Sequence, residues 1–158
     1  MTSTARQPTR ISIDRISADD LEAVAFLDAA AFLTPWHIDS FREALTRSYA
    51  IFLALRSDDS LVGYSLSWLV ADEMHILKFA VDDAFRGLGF GTQLLGESLK
   101  EARAKGASIA WLEVRPSNRE ALALYEGRGF ERAYQRRNYY SDTGEDAIIL
   151  LCKLKKEE

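Results

Sequence analysis

A glycine-rich segment past the middle of the chain constrains the fold more than any other feature. The segment Arg86-Gly-Leu-Gly-Phe-Gly91 follows an apolar, strand-like stretch at residues 76–81 and leads into a helical pattern at Leu94, Leu95 and Leu99. Glycines allow a ligand to approach the backbone closely, and the first turn of a helix leaves its amides unpaired and positively polarised. The pattern therefore predicts a strand–loop–helix unit that can hold a phosphate group on backbone N–H groups.

Spacing excludes two common phosphate loops. A P-loop needs two glycines five positions apart followed by Lys and Ser or Thr, and no lysine follows Gly91. A dinucleotide-binding fingerprint that begins at Gly87 needs Gly or Ala at position 92, which is Thr92. What remains is an Arg-x-x-Gly-x-Gly loop at residues 86–91, and the alternative of an ordinary glycine-rich turn stays open at this point.

Hydrophobic periodicity predicts the order β-α-α-β-β-β-α-β-α-β-β around this loop. The predicted strands span residues 10–16, 50–56, 61–70, 76–81, 108–114, 130–139 and 146–154. The predicted helices span residues 21–33 after a cap at 17–20, 38–45, the segment from the loop to about 105, and the segment from a Ser117–Glu120 capping box to 127 or 129. This order predicts an α/β fold with a mixed sheet, parallel at least where helices bridge two strands. Residues 1–9 are expected to be a disordered lead-in, and residues 10–158 a single domain.

Composition limits the partners and the compartment. The chain has 158 residues and a net charge of −4, so nucleic acid is not an expected partner. A basic substrate fits this charge better, although plain solubility is its commoner cause. No run of about eighteen apolar residues is present, and we expect no membrane span. The lone Cys152 fits a reducing, cytoplasmic compartment, and two histidines with one cysteine, widely separated, predict no metal site.

Three residues beyond the loop are candidates for the chemistry. Strand alternation places Glu113 on the same face as Ile109 and Trp111, so this carboxylate in an apolar segment is a candidate general base. The alternative is a glutamate that pairs with a neighbouring arginine or lies at a solvated strand end. Tyr125 is either a core tyrosine or a proton donor to a leaving group. Asn118 either serves the end of a helix or contacts a ligand.

Taken together, these motifs resemble the Gcn5-related N-acetyltransferase (GNAT) superfamily. The resemblance rests on Arg86-x-x-Gly-x-Gly, on Trp111-Leu-Glu-Val-Arg-Pro-Ser-Asn118 and on Ala123-Leu-Tyr-Glu-Gly-Arg-Gly-Phe130. It implies a mixed, mostly antiparallel, seven-stranded sheet flanked by about four helices, with parallel pairing at a central cofactor cleft. Within the superfamily, Pro35-Trp36 and the segment from Arg137-Asn-Tyr-Tyr to Ile149 are similar to the bacterial enzymes that acetylate the N-terminal alanine of a ribosomal protein.

The resemblance implies acetyl-CoA as the donor, with Glu113 as general base, Tyr125 as general acid and direct transfer in a ternary complex. It also implies the cofactor-binding residues, which are Phe79, Ala80, Val81, Arg86, Gly87, Leu88, Gly89, Phe90, Gly91, Thr92 and Asn118. One departure is Gly87, where the family often has a second basic residue. This change removes a side-chain contact to phosphate but leaves the backbone amides in place.

The same resemblance implies a basic protein N-terminus, that of a small-subunit ribosomal protein, as the acceptor. Trp36 and Tyr139 are candidate walls of its groove, and Asp28, Asp72 or Glu73 are candidates for contacting its positive charge. His37 and His75 are weaker candidates for the base, and Cys152 is expected to be a buried structural thiol. Two alternatives remain, which are transfer to a small-molecule amine and a non-catalytic acyl-CoA-binding module.

Overall fold

The described part of the chain forms one seven-stranded sheet in the order β1-β2-β3-β4-β5-β7-β6. The computed structural model describes residues 10–155, so the predicted lead-in at 1–9 lies outside the described residues, as do residues 156–158. The strands are β1 Ile11–Arg15, β2 Ala50–Ser57, β3 Ser60–Val70, β4 Glu73–Val81, β5 Ile109–Val114, β6 Glu131–Arg136 and β7 Ala147–Lys153. The helices are α1 Leu21–Ala31, α2 Ile38–Ala44, α3 Phe90–Ala104 and α4 Arg119–Gly127.

The predicted order of elements is confirmed, and so is the mixed sheet. Within residues 10–155 only β4 and β5, which α3 bridges, pair in parallel, and every other neighbouring pair is antiparallel. β6 ends three residues before its predicted end, because the chain turns at Asn138 with a φ of +52°.

Two hydrophobic layers cover the two faces of the sheet. Helices α3 and α4 pack on one face, and their buried side chains include Leu94, Leu95, Leu99 and Leu122. Helices α1 and α2 pack on the other face, where Val24, Phe41, Tyr64 and Leu66 form the core. The candidate site lies where these layers meet the middle of the sheet.

Parallel pairing between β4 and β5 stops partway along both strands. The paired positions are Glu73 with Ile109, Met74 with Ala110, and His75 with Trp111. Beyond them, residues 76–81 of β4 and residues 112–114 of β5 have no pairing with each other. The backbone of β4 therefore presents an open edge toward a gap in the middle of the sheet.

A β-bulge at Leu77 changes which side chains of β4 face each layer. Leu66 of β3 pairs with Lys78 while Ser67 pairs with Ile76, so Leu77 is the extra residue. Ile76 packs in the α3–α4 core, yet Lys78, two positions later, contacts α1. Without the bulge, strand alternation would direct Lys78 into the α3–α4 core.

Asp20, at the start of α1, makes an ion pair that should be visible in the stability of the protein. Its carboxylate accepts two hydrogen bonds of 2.8 Å from the Arg56 guanidinium, which lowers the pKa of Asp20 from 3.8 to about 2. A depressed carboxyl pKa stabilises the folded state above the unfolded pKa, and this stability is lost as the pH falls through the folded value. We expect Asp20→Asn to lose about 2 kcal/mol of unfolding free energy at pH 7.

The difference between wild type and Asp20→Asn in urea unfolding should shrink as the pH falls from about 4 toward about 2, the window between the two pKa values. Asp19→Asn is the matched control, because Asp19 is adjacent but exposed. A difference that does not change with pH would show that Asp20 does not act through its charge.

Candidate active site

The gap between β4 and β5 opens into a cavity of about 480 Å³ that contains most of the titratable side chains of the site. We call it the polar cavity. The side chains that give it this character are His75, Lys78, Glu113, Arg115, Tyr125, Tyr139 and Tyr140, and Phe32 and Trp36 add aromatic walls. The structure thus places the two predicted groove residues, Trp36 and Tyr139, on the wall of the same cavity as Glu113.

A second cavity, also of about 480 Å³, lies at the glycine loop and is called the loop cavity. It is lined by the open part of β4 at Phe79, Ala80 and Val81, by the glycine loop, and by the first turns of α4. Six residues line both cavities, namely Ala31, Phe32, Phe79, Asn118, Ala121 and Tyr125. The two cavities therefore meet, with Tyr125 at their junction.

The glycine loop leaves its amides free to bind an anion. Gly87 and Gly89 have φ angles of +77° and +82°, which residues other than glycine rarely adopt. Gly89 directly precedes α3 and supplies no side-chain cap, so the first N–H groups of α3 have no side-chain acceptor. A Cβ atom at Gly87 or Gly89 would meet no protein atom within 4 Å, which leaves open space above the loop. These features fit a diphosphate held on backbone amides at a helix N-terminus.

Arg86 fastens the loop to the neighbouring elements. Its Nε donates to the Val81 carbonyl at 3.2 Å, and its Nη1 lies 3.0 Å from Glu120 on α4 and 2.9 Å from Asp83. Arg86 also lines the loop cavity, so a basic side chain lies beside the glycine loop. Arg86 thus shapes the loop. It also provides a positive side chain at the loop, where this chain lacks the second basic residue because position 87 is glycine.

Glu113 pairs with a histidine rather than with an arginine. Its Oε2 lies 2.8 Å from His75 Nε2, a distance at which an ionised carboxylate accepts from the imidazole N–H. The imidazole stacks on Trp111 with ring centroids 3.8 Å apart and planes within 5°. The Glu113 side chain is 14% exposed, and its Oε1 has no hydrogen-bond partner among residues 10–155. One carboxylate oxygen is therefore held, and the other has no partner among residues 10–155 in a side chain that lines the polar cavity.

Tyr125 combines the two interpretations that the sequence left open. Its ring packs edge-on against Phe79 and Phe130, with centroids 6.0 and 5.4 Å away, so it is a core residue. Its hydroxyl, however, makes no hydrogen bond with the part of the chain that the structure describes, and the residue lines both cavities. Burial raises the pKa of Tyr125, so the phenol keeps its proton at neutral pH.

A buried ion pair forms part of the wall beside the polar cavity. Lys78 Nζ lies 3.2 Å from Asp28 Oδ1, and the carboxylate also accepts from the Tyr64 hydroxyl and, at 2.8 Å, from the backbone N–H of Trp36. The ammonium is 4.1 Å from the centroid of the Phe32 ring, a cation–π distance. Burial lowers the pKa of Lys78, and the Asp28 carboxylate opposes that shift.

Arg115 holds the loop between β6 and β7 over the polar cavity. The guanidinium donates to Asp142 at 2.7 and 3.0 Å and lies 3.9 Å from the centroid of the Tyr140 ring. Burial raises the pKa of Tyr140 to about 12, although Arg115 acts in the opposite direction. Tyr139 and Tyr140 therefore add aromatic rings to the wall of the cavity, and the Tyr140 phenol keeps its proton at neutral pH.

Most residues predicted to bind the cofactor line the loop cavity, and three need comment. Leu88 and Phe90 do not line it; Leu88 is 55% exposed and Phe90 packs near Phe85, and the contact predicted for both is through their backbone amides. The predicted Ser117–Glu120 capping box is wrong, because Asn118 is the N-cap of α4 and its Oδ1 accepts from the Ala121 N–H at 3.1 Å. Asn118 serves the helix end and lines both cavities.

The acidic residues suggested for a basic acceptor lie elsewhere. Asp28 is fully buried against Tyr64 and Lys78, and neither Asp72 nor Glu73 lines either cavity. Asp28 is therefore wrong as a residue that contacts the acceptor, whereas a contact from the exposed Asp72 or Glu73 stays a prediction. Cys152 is half-buried rather than buried, burial raises its pKa, and it lies outside both cavities.

Sequence reasoning missed the roles of Lys78, Phe32 and Arg115 and the contact between His75 and Glu113. A lysine inside the apolar stretch at residues 76–81 was the one signal that could have indicated a buried polar partner. Among residues 10–155, no three or more His, Cys, Asp or Glu side chains form a group that could hold a metal ion. In the same residues, no helix is both long and apolar enough to span a membrane.

Comparison with known proteins agrees with this geometry. Residues 17–130 match the family described as the acetyltransferase (GNAT) family. The chain is 37% identical to the ribosomal protein bS18-alanine N-acetyltransferase of Salmonella typhimurium. The aligned region has 141 residues and covers 88% of this chain and 95% of that protein. The Haemophilus influenzae protein of the same name is 33% identical over 145 residues, 90% of this chain and 98% of the relative.

A solved structure shows the same fold. The crystal structure of the ribosomal-protein-S18-alanine N-acetyltransferase from Escherichia coli superposes with a TM-score of 0.85 at 31% identity, over 94% of this chain and 97% of that one. The sequence match, the shared fold and the two cavities agree with the motifs at the glycine loop and on β5. This chain therefore belongs to the acetyltransferase (GNAT) family.

Proposed function

We propose that this chain transfers the acetyl group of acetyl-CoA to the α-amine of a protein N-terminal alanine, that of a small-subunit ribosomal protein. One observation carries the proposal: two cavities meet at Tyr125, one lined by the amides of the glycine loop and the other by the Glu113 carboxylate. This arrangement suits a donor that bears a diphosphate and an acceptor that must lose a proton. The names of the relatives support the choice of acceptor.

The donor side uses the backbone more than side chains. The amides of residues 87–92 would hold the diphosphate, Arg86 would add a positive charge, and the open edge of β4 at residues 79–81 would pair with the pantetheine amides as an added strand does. Asn118 lines this path at its inner end. When bound, acetyl-CoA supplies an activated acetyl thioester at the junction of the cavities.

The acceptor side provides a base. An α-amine has a pKa of about 7.7–8.0 and must be neutral to attack, so a proton acceptor is needed near neutrality. Glu113 lines the polar cavity, and its Oε1 has no partner among residues 10–155, so it would take this proton directly or through a water molecule. The neutral amine would then attack the thioester carbonyl directly in a ternary complex, and no side chain of the enzyme would be acetylated. Tyr125 would supply a proton to the departing thiolate.

The acceptor is expected to be a basic protein N-terminus. The net charge of −4 attracts such a segment over a distance, while Trp36, Tyr139 and Tyr140 give the polar cavity an aromatic wall for its first residues. A ribosomal protein is met in the cytoplasm, which is the compartment that we propose.

The proposal is tested by measuring CoA release with acetyl-CoA and three acceptors. A peptide that begins Ala-Arg with a free α-amine should be acetylated, whereas the same peptide with a blocked N-terminus should not. A polyamine is the third acceptor. Faster transfer to the polyamine than to the free peptide would favour a small-molecule amine, and no transfer with intact CoA binding would favour a non-catalytic module.

Tyr125→Phe tests the proton donor without changing the packing. The phenyl ring keeps its contacts with Phe79 and Phe130, and the hydroxyl forms no hydrogen bond with a described residue, so the melting temperature should stay the same. An ordinary thiol has a pKa of about 8.5 and leaves tolerably as a thiolate, so we expect a loss of about 10-fold in kcat. Because burial raises the pKa of Tyr125, this loss should be constant from about pH 6 to about pH 9. An unchanged kcat, measured by thiol release, would remove Tyr125 from the mechanism.

A further inference from the structure

We infer that His75 is a positioning residue, whose Nε2–H holds one oxygen of the Glu113 carboxylate so that the other faces the acceptor amine. The inference rests on the proposed role of Glu113 as the base. His75 does not take the proton from the amine; it acts through Glu113.

The contact between the two side chains is direct and shielded. His75 Nε2 and Glu113 Oε2 are 2.8 Å apart, and the side chains are 23% and 14% exposed. Both residues line the polar cavity, and no arginine or lysine forms a salt bridge with Glu113 among the described residues. His75 is therefore the group that fixes the orientation of this carboxylate.

Trp111 in turn fixes the imidazole. His75 and Trp111 form the last pair of the parallel register between β4 and β5, so their side chains sit side by side where the strands part. The rings stack with centroids 3.8 Å apart and planes within 5°. This stacking leaves the imidazole little freedom to rotate, and its Nε2 stays directed toward Glu113, two residues further along β5.

The two oxygen atoms of the Glu113 carboxylate therefore have different roles. Oε2 is occupied by His75, whereas Oε1 has no partner within residues 10–155. Loss of the imidazole would let the carboxylate rotate away from the acceptor. A misplacement of this kind costs about 10- to 100-fold in rate, and we expect that loss in kcat for His75→Ala. The KM for acetyl-CoA should not change, because His75 does not line the loop cavity.

The test uses chemical rescue of His75→Ala, which leaves a slot beside Trp111. Imidazole fills the slot and carries an N–H donor, whereas neutral 1-methylimidazole fills it without one. Both are added at a pH well above their pKa values. We expect imidazole to restore most of kcat and 1-methylimidazole to restore little. His75→Gln, whose carboxamide nitrogen reaches about as far as Nε2, should lose less activity than His75→Leu.

The other histidine of the chain provides the matched control. His37 lies outside both cavities, so His37→Ala should keep full kcat and should not respond to either azole. An unchanged kcat in His75→Ala, equal rescue by both azoles, or a loss that neither imidazole nor the glutamine variant repairs would each overturn the inference. If Glu113→Gln itself keeps full activity, the proposed base fails instead, which separates the two failures.

Discussion

Replacing Glu113 by glutamine is expected to lower kcat by about 10²- to 10⁴-fold, the usual contribution of a general base. Glutamine has nearly the same shape and can still contact His75, but it cannot accept the proton of the acceptor amine. The affinity for CoA should stay the same, because Glu113 lines the polar cavity and not the loop cavity. The two quantities are measured by thiol release and by calorimetric titration with CoA.

Glu126→Gln is the matched control for this change. Glu126 lies on α4 outside both cavities and pairs with Arg132, so its kcat should equal that of wild type. Raising the pH should recover part of the activity of Glu113→Gln, because more of the acceptor amine is then neutral without help. Full activity of Glu113→Gln at every pH would show that Glu113 is not the general base.

Replacing Gly89 by alanine is expected to weaken CoA binding by about 10- to 100-fold. Gly89 has a φ of +82°, so an added Cβ atom would strain the backbone of the loop. The same Cβ atom would lie in the open space where the diphosphate is expected. Displacing one amide that binds a charged group costs about 1.5–3 kcal/mol, which corresponds to this change in dissociation constant. The effect should appear in the Kd for CoA and in the KM for acetyl-CoA.

Gly106→Ala separates loss of the binding loop from loss of stability. Gly106 follows the other end of α3, has a φ of +97° and likewise has no protein atom within 4 Å of an added Cβ. Both variants carry a similar backbone strain, and both should lose about 1 kcal/mol of unfolding free energy. Only Gly89→Ala should lose affinity for CoA. Equal affinities in the two variants would show that the glycine loop does not hold the cofactor.

Patterns local to one element were predictable from the sequence. Strand alternation placed Glu113 beside Trp111, and the structure shows that face of β5 as predicted, with Ala110, Leu112 and Val114 buried on the opposite face. The glycine loop was likewise predictable, because its φ angles and uncapped helix start follow from the glycines themselves.

Features that depend on two elements were not predictable. The bulge at Leu77 is a property of the β3–β4 register, and it alone directs Lys78 toward Asp28 on α1. The contact between His75 and Glu113 depends on where the β4–β5 pairing ends. The prediction of the α4 cap was wrong for a local reason. Ser117 and Asn118 are adjacent, and both residue types are good N-caps.

The proposed function requires that the acetyl group goes to a terminal α-amine. The most direct measurement incubates the protein and acetyl-CoA with a peptide that begins Ala-Arg and also contains an internal lysine, and then locates the product by fragmentation mass spectrometry. We expect a single acetyl group on the N-terminal alanine. The same peptide incubated for an equal time with Glu113→Gln should carry none. An acetyl group on the lysine side chain, or equal modification of the two amines, would contradict the proposed function.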